Sequence, residues 1–267
     1  LIPEGYEIKD KRVLLPVDFP EFGFDLRESQ QDVYDAIEDN AIINAFVSWG
    51  KTFTALAVAA KLGQKTLVVT HTVSLRTQWE KEIRKVFGIE PGIIGSGKYD
   101  ISPPIVVGNI QTLYKLRGKI EKEFGTIIID ECHRGGATED GNWRAILDYF
   151  SPAVQLGLTA TPKRRDNVDT YAYFGEPRYI YSLKEGIGDG FLTPFRVRKY
   201  QTTIDDYTYT TDDTVIEGDV EVGKLYTGAD FNRVIIIRER EVYRVELLMA
   251  QINPNEKTII FCATQAH

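Results

Sequence analysis

The octapeptide from Ala45 to Thr52, AFVSWGKT, has the residue types of a nucleotide phosphate-binding loop. It follows an apolar run and precedes a good helix, so its backbone N–H groups can face phosphate. Lys51 would contact the β/γ-phosphates, Thr52 would bind Mg²⁺, and Gly50 allows the tight turn. The strict pattern opens with Gly, whereas this loop opens with Ala45. Gly-Lys-Thr also begins ordinary helices, so the motif alone leaves that alternative open.

A second segment, Thr126 to His133, is a β-branched run that ends in two carboxylates. Such a run favours a central parallel strand, and an acid at its carboxyl end lies at the ligand-binding edge of an open α/β sheet. Asp130 would bind Mg²⁺ and Glu131 would position and deprotonate the attacking water. The alternative is a strand that ends in a solvated acidic turn. A phosphate-binding loop upstream favours the paired catalytic reading.

The elements that must position these residues follow an alternating pattern. Apolar runs predict strands, and amphipathic stretches predict helices; the strands are expected near 42–46, 66–70, 104–108, 125–129 and 154–158, and the helices near 28–37, 53–62, 74–87 and 140–149. This alternation predicts an α/β fold with a parallel sheet and helices on both faces.

Together these motifs resemble the superfamily 2 helicases and translocases, whose second motif is DExH and here reads DECH. Further motifs follow in the family's order. The resemblance implies a RecA-like P-loop NTPase fold and use of ATP with Mg²⁺. It implies adenine recognition by Gln30 beside Arg27, and nucleotide binding by the loop that includes Ala45, Ser48, Trp49 and Gly50. For Trp49, packing under the loop and shielding the nucleotide are both open.

The resemblance also implies contacts with a nucleic-acid backbone and coupling between the sites. The residues that match these motifs are Thr70, Gln111, Thr112, His133, Thr159 and Thr161. Arg76 is a basic residue beside the first of these motifs and a candidate for phosphate contact; the alternative is that it belongs to a solvated helix face. The first half is similar to phage and XPB-type DNA helicases. From DECHRG onward the chain is similar to the motor subunit of type I restriction endonucleases. The sequence does not separate natural divergence from engineering as the cause of this mixture.

Composition limits the remaining possibilities. The chain has 267 residues, a net charge of −7 and two cysteines, with no signal peptide and no run long enough to span a membrane. These features predict a cytoplasmic protein without a disulfide framework. The resemblance implies that the cell is bacterial or phage-infected. The acidic balance argues against a globally basic DNA-binding surface, although local basic positions flank the motifs.

The carboxyl-terminal part differs in character. Residues 1–195 are predicted to form the first RecA-like domain, 196–229 a connecting excursion, and 230–267 the beginning of a truncated second RecA-like domain. A helix is expected over 230–252 with Asp230 as its N-cap, and a strand over 257–264. The second-domain arginine finger, which can contribute about 10³ to 10⁵ in rate, is not in this sequence.

The leading hypothesis is therefore a fragment of an ATP-dependent DNA helicase or translocase motor, weakly active or inactive alone. Its expected partners are double- or single-stranded DNA, contacted mainly through the backbone, the missing second domain, and other subunits of a restriction complex. The alternative is a nucleotide-binding interaction module without turnover. An unrelated P-loop kinase or transporter ATPase fits poorly with the Thr159-Ala-Thr161 segment.

Overall fold

The computed structural model describes residues 12–120, 122–132, 142–160, 170–177, 179–198, 207–208, 215–217, 223, 225–226, 236–253 and 255–261. The chain divides into two compact units, Leu1–Pro194 and Phe195–His267. Within the described residues, no helix is long and apolar enough to cross a bilayer.

The first unit is built on one large sheet. Its strands are β1 (Ala41–Ala45), β2 (Thr66–Thr70), β3 (Gly92–Gly95), β4 (Lys98–Tyr99), β5 (Ile105–Asn109), β6 (Thr126–Asp130), β7 (Val154–Thr159) and β8 (Tyr179–Tyr181). Their order is β4-β3-β5-β2-β6-β7-β1-β8, and every neighbouring pair is parallel except β3 and β4. The five predicted strands are present, each within one residue of its expected bounds.

Helices cover both faces of this sheet. They are α1 (Glu28–Ala36), α2 (Lys51–Leu62), α3 (Val73–Phe87), α4 (Ile110–Lys115), α5 (Asn142–Tyr149), α6 (Thr170–Phe174) and α7 (Leu183–Gly188). Successive strand residues point to opposite faces. Accordingly, Ile128 packs with α1, α2 and α3 in one core cluster, whereas Ile127 and Ile129 pack with α4 and α5 in another. The predicted doubly covered parallel sheet is confirmed.

Strand register brings the functional segments to one edge. Asn44 of β1 lies beside Thr159 of β7, and Leu158 lies beside Asp130 of β6. On the other side of β6, β2 is followed by β5, with Thr70 opposite Asn109. Because all five strands are parallel, their carboxyl ends form a continuous row, where open α/β sheets bind ligands.

The second unit contains short elements. They are β9 (Tyr207–Thr208), β10 (Val215–Glu217), β11 (Leu225–Tyr226), β12 (Ile236–Ile237) and α8 (Arg238–Met249); β10 pairs with β12, and β11 with β9. The helix predicted from 230 begins only at Arg238, because Ile236 and Ile237 pair with β10 instead. Asp230, its predicted N-cap, lies outside the described residues.

The strand predicted over 257–264 is wrong for its described part. Residues 257–261 form no regular element, and Ile259, Ile260 and Phe261 are exposed. A strand needs a neighbour for its backbone hydrogen bonds, and no described segment pairs with this run.

Candidate nucleotide and metal site

The candidate phosphate-binding loop joins β1 to α2 and has two residues in the left-handed region. Ser48 has φ 72° and Gly50 has φ 96°. Gly50 is the N-cap of α2, and no side chain caps this helix. The first N–H groups of any helix lack intrahelical acceptors. The start of α2 at Lys51 therefore presents donors and the positive end of the helix dipole, which suits phosphate.

Lys51 is held inside this turn. Its Nζ donates to the carbonyl oxygens of Ala45 at 2.6 Å and Phe46 at 3.3 Å. Burial lowers the pKa of Lys51, while the carboxylates of Glu131 and Asp130 act in the opposite direction. The loop lysine thus shares an electrostatic environment with both acids, although the sequence separates them by about 80 residues.

The side chain of Trp49 packs under the loop, which is one of the two positions that the sequence left open. Its side chain is 1% exposed and packs against Tyr179, with ring centroids 5.3 Å apart. Its indole N–H donates to Ser29 Oγ at 3.2 Å. Trp49 therefore packs beneath the loop and joins it to α1 and β8.

Arg27 and Gln30 act on the same loop. Gln30 Nε2 donates to the Trp49 carbonyl at 2.9 Å, and the Arg27 guanidinium donates to the same oxygen. Gln30 Oε1 accepts from the Arg27 backbone N–H, and the Gln30 side chain is buried. The guanidinium also lies 4.3 Å from the centroid of the Phe191 ring. Both residues border the candidate loop. Gln30 already uses its Oε1 and one Nε2 proton within the protein, so it would have to recognise adenine with the other lone pair of Oε1 or the second proton of Nε2.

The acidic pair lies at the carboxyl end of β6, with Asp130 as its last residue and Glu131 just beyond it. Asp130 is buried, and its Oδ2 accepts from the indole N–H of Trp79 at 2.8 Å. Burial raises the pKa of Asp130, the bond from Trp79 opposes that rise, and Glu131 adds to it. Glu131 has φ 55°, a left-handed conformation that costs energy for a residue with a Cβ. The next residue is fixed in turn, because the Cys132 N–H donates to the Leu158 carbonyl at 3.1 Å.

The residues assigned to nucleic-acid contact lie in different surroundings. Thr70 and Thr159 are buried, Thr112 is half-buried and Gln111 is exposed. Gln111 Nε2 donates to the His71 carbonyl at 3.2 Å. Thus Gln111 alone of these four presents a largely exposed side chain.

Arg76 is used inside the domain. It is 8% exposed; its guanidinium donates to Asn109 Oδ1 at 2.8 Å, Ser96 Oγ at 3.1 Å and Glu80 Oε1 at 3.1 Å. Asn109 Nδ2 donates in turn to Thr70 Oγ1 at 3.3 Å. Contact between Arg76 and a phosphate requires it to leave these partners.

The structure brings together Lys51, Asp130 and Glu131, with Thr52 half-buried in the first turn of α2. His133 and Thr161 lie outside the described residues. Sequence reasoning missed Ser29, Tyr179 and Phe191 around the loop, and it did not predict that Trp79 contacts Asp130. The available signal was the apolar spacing of α3, which turns Trp79 inward.

These residues fit Mg²⁺ and a nucleoside triphosphate. The uncapped start of α2 and the Lys51 ammonium offer hydrogen-bond donors to phosphate. A buried carboxylate whose pKa is raised gains from a nearby cation, and carboxylate and hydroxyl oxygens suit Mg²⁺. Asp130 and Thr52 would hold the metal ion.

Comparisons with known proteins agree with this arrangement. The chain is 49% identical over 164 residues to the probable helicase D10 of Escherichia phage T5, covering 61% of this chain and 36% of that protein. It is 46% identical over 144 residues to the type I restriction enzyme EcoAI endonuclease subunit of Escherichia coli, covering 52% of this chain and 18% of that subunit. The matched region thus covers about a third of the length of the phage helicase and less than a fifth of the length of the restriction subunit.

A solved structure supports the fold. The Hef helicase domain of Pyrococcus furiosus aligns over 58% of this chain and 37% of that one, with a TM-score of 0.50 and 24% identity. The resemblance to superfamily 2 helicases and restriction-enzyme motors is confirmed by these similarities. Residues 23–164, just over half of the chain, match the family described as the type III restriction enzyme res subunit, and the chain belongs to that family.

Proposed function

We propose that this chain binds Mg²⁺ and ATP at the carboxyl edge of its sheet and belongs to an ATP-hydrolysing motor that moves on DNA. The observation that carries this proposal is geometric: Lys51 begins α2 just after β1, Asp130 ends β6, and only β7 separates these parallel strands at the carboxyl edge of the sheet. Both Asp130 and Glu131 act to raise the pKa of Lys51 against the effect of its burial. A buried lysine beside two acids at the ligand edge of a parallel sheet suits phosphoryl chemistry. No observation in the described residues favours a binding module without turnover.

Each residue has a distinct part in this proposal. The loop and the start of α2 bind the phosphates through backbone N–H groups, and Lys51 neutralises negative charge on them. Asp130 and Thr52 hold the metal ion, which supplies charge stabilisation at the phosphates when bound. Glu131, set in its left-handed conformation beside Asp130, orients a water molecule and takes its proton. Arg27 and Gln30 steady the loop through the Trp49 carbonyl.

The DNA part of the proposal rests on family membership and on position. The relatives include a probable phage helicase and a restriction endonuclease subunit. Thr70, Gln111 and Thr112 lie at or just beyond the carboxyl ends of β2 and β5, on the same sheet edge as Asp130. We expect contacts with the DNA backbone there, because a motor that moves along DNA of any sequence should bind phosphates rather than base edges. His133, Thr159 and Thr161 would couple the two sites.

The division into 1–195, 196–229 and 230–267 remains part of the proposal, as does the view that the last segment begins a second RecA-like domain. In this view that domain supplies the groups that complete hydrolysis, so the chain alone turns over ATP slowly. A cytoplasmic location in a bacterial or phage-infected cell, and association with restriction subunits, belong to the same proposal.

Glu131→Gln tests the proposal. We expect the parent chain to bind ATP and to hydrolyse it faster with double-stranded DNA, most clearly when extended through a complete second domain. The variant should bind ATP but lose about 10²- to 10⁴-fold in turnover, as expected for loss of a general base. Glu123→Gln, on an exposed loop, is the matched control. ATP binding without turnover in the chain and in its extended form would overturn the motor proposal.

A further inference from the structure

Trp79 is a buried residue whose hydrogen bond reaches the proposed metal ligand. Its side chain is almost fully inaccessible, on the inner face of α3 with Arg76, Ile83 and Val86. A buried indole N–H needs an acceptor, because leaving it unpaired costs free energy. The acceptor here is Asp130 Oδ2, at 2.8 Å.

The chemistry of this donor matters. An indole N–H donates and cannot accept, so Oδ2 must act as an acceptor towards it. The bond from Trp79 restrains the rotation of the carboxylate about its terminal torsion, which is otherwise broad. A fixed carboxylate presents its remaining acceptor positions in a constant direction.

Helix α3 is itself anchored on the sheet edge. Its N-cap Thr72 accepts from the Leu75 N–H at 3.2 Å. One turn later Arg76 is bonded to Asn109 at the end of β5 and to Glu80 on α3. The indole of Trp79 therefore projects from a helix that Arg76 ties to the end of β5. The orientation of Asp130 depends on an element outside its own strand.

From this geometry we infer that Trp79 is a positioning residue for metal binding, which orients Asp130 so that the carboxylate can hold Mg²⁺ beside the nucleotide. The inference rests on the proposed function, because it assigns Asp130 to the metal. It also gives α3 a role in the metal site besides the nucleic-acid contact expected of Arg76. Partners that orient a metal ligand typically change metal affinity by about 10- to 100-fold when removed.

The test is the Mg²⁺ dependence of nucleotide binding at equilibrium. A fluorescent ATP analogue is titrated into the parent chain and Trp79→Phe, first in EDTA and then at increasing Mg²⁺. We expect equal affinity in EDTA, and a Mg²⁺ half-saturation about 10- to 100-fold higher in the variant. Ile83→Val, one turn along the same buried face, is the control for lost core volume and should keep the parent half-saturation.

Outcomes separate the inference from the proposed function. A half-saturation within twofold of the parent in a folded Trp79→Phe would overturn the positioning role alone. Failure of the parent to bind the analogue in either buffer would overturn the proposed function, and the inference with it. If Trp79→Phe does not fold, 3-benzothienylalanine at this position keeps the shape of the indole but removes the N–H. Parent-like Mg²⁺ dependence in that variant would likewise count against the inference.

Discussion

Two buried tryptophans support opposite sides of the same sheet edge, and their partners differ in charge. On the loop side, the Trp49 indole donates to the Ser29 hydroxyl and packs against Tyr179 with the rings tilted, and the Trp49 carbonyl accepts from Gln30. On the acid side, Trp79 bonds the carboxylate of Asp130. The loop side is thus held largely by packing and bonds that survive without ligand. The acid side holds a buried charge that a cation would relieve.

This difference predicts that the loop side serves phosphate binding, whereas the acid side serves metal binding. A loop fixed by packing should bind phosphate with or without a metal ion. A carboxylate whose pKa is raised by burial should contribute to nucleotide affinity only when the metal ion is present. Variants on the two sides should therefore differ in the Mg²⁺ dependence of nucleotide affinity and in the sign of their effect on stability.

Trp49→Ala should have the largest effect on the free energy of unfolding. Removing a fully buried indole and its contact with Tyr179 should cost about 3–5 kcal/mol, measured by urea denaturation. Nucleotide affinity should fall by the same factor in Mg²⁺ and in EDTA, because the loop itself is displaced.

Phe150→Ala is the matched control for Trp49→Ala. Phe150 is fully buried in the core cluster on the opposite face of the sheet, so its truncation should cost similar stability but leave affinity unchanged in the folded fraction. The milder Trp49→Phe, which loses the Ser29 bond, provides a folded test if truncation is too severe. An affinity loss seen only with Mg²⁺ would contradict the division between the two sides.

Gly50→Ala tests the loop with a smaller change. A left-handed residue with a Cβ costs about 1–2 kcal/mol, and a Cβ here would lie 2.7 Å from Gln30 Nε2. The variant should lose stability and also the Gln30 bond to the loop, so affinity should fall in both buffers. Gly88→Ala has a similar φ of 68° but no atom within 4 Å of its Cβ. It should cost about 1 kcal/mol with no loss of affinity; equal losses in both variants would refute the role of Gln30.

The sequence predicted the central strands well because their β-branched runs are buried on both faces. It missed β8, whose Tyr179-Ile180-Tyr181 is too short to show a period, and the β3 to β4 hairpin for the same reason. Parallel topology was enough to place Lys51 near Asp130. The bond between Trp79 and Asp130 was not predictable, because it joins residues 51 positions apart through the exact rotation of α3.

Trp49 and Arg76 show the other limit of sequence reasoning. A residue type within a motif indicates which site it borders, but not whether its side chain faces the ligand or the core. The Trp49 side chain packs beneath the loop, and the Arg76 guanidinium hydrogen-bonds Asn109, Ser96 and Glu80. Both orientations depend on neighbours that are distant in sequence.

Asp130→Asn should have the smallest effect on stability, and one of opposite sign. Because burial raises the pKa of this carboxyl in the folded chain, the ionised form is disfavoured there relative to the unfolded chain. The resulting penalty is fully present above the folded pKa and disappears as pH falls through it, because the folded state then takes up the proton first. In EDTA at neutral pH, the variant should therefore melt at a higher temperature than the parent.

The bond from Trp79 offsets part of this penalty, which is why the gain should be modest. The gain should shrink as pH falls through the folded pKa and should reverse when Mg²⁺ and nucleotide are added, because only the parent carboxylate can hold the ion. Asp148→Asn, half-exposed beside Arg144 on α5, should change the unfolding free energy by less than about 0.5 kcal/mol under the same conditions. A lower melting temperature for Asp130→Asn in EDTA would mean that the acid side is stabilised by its charge, and the contrast with the loop side would fail.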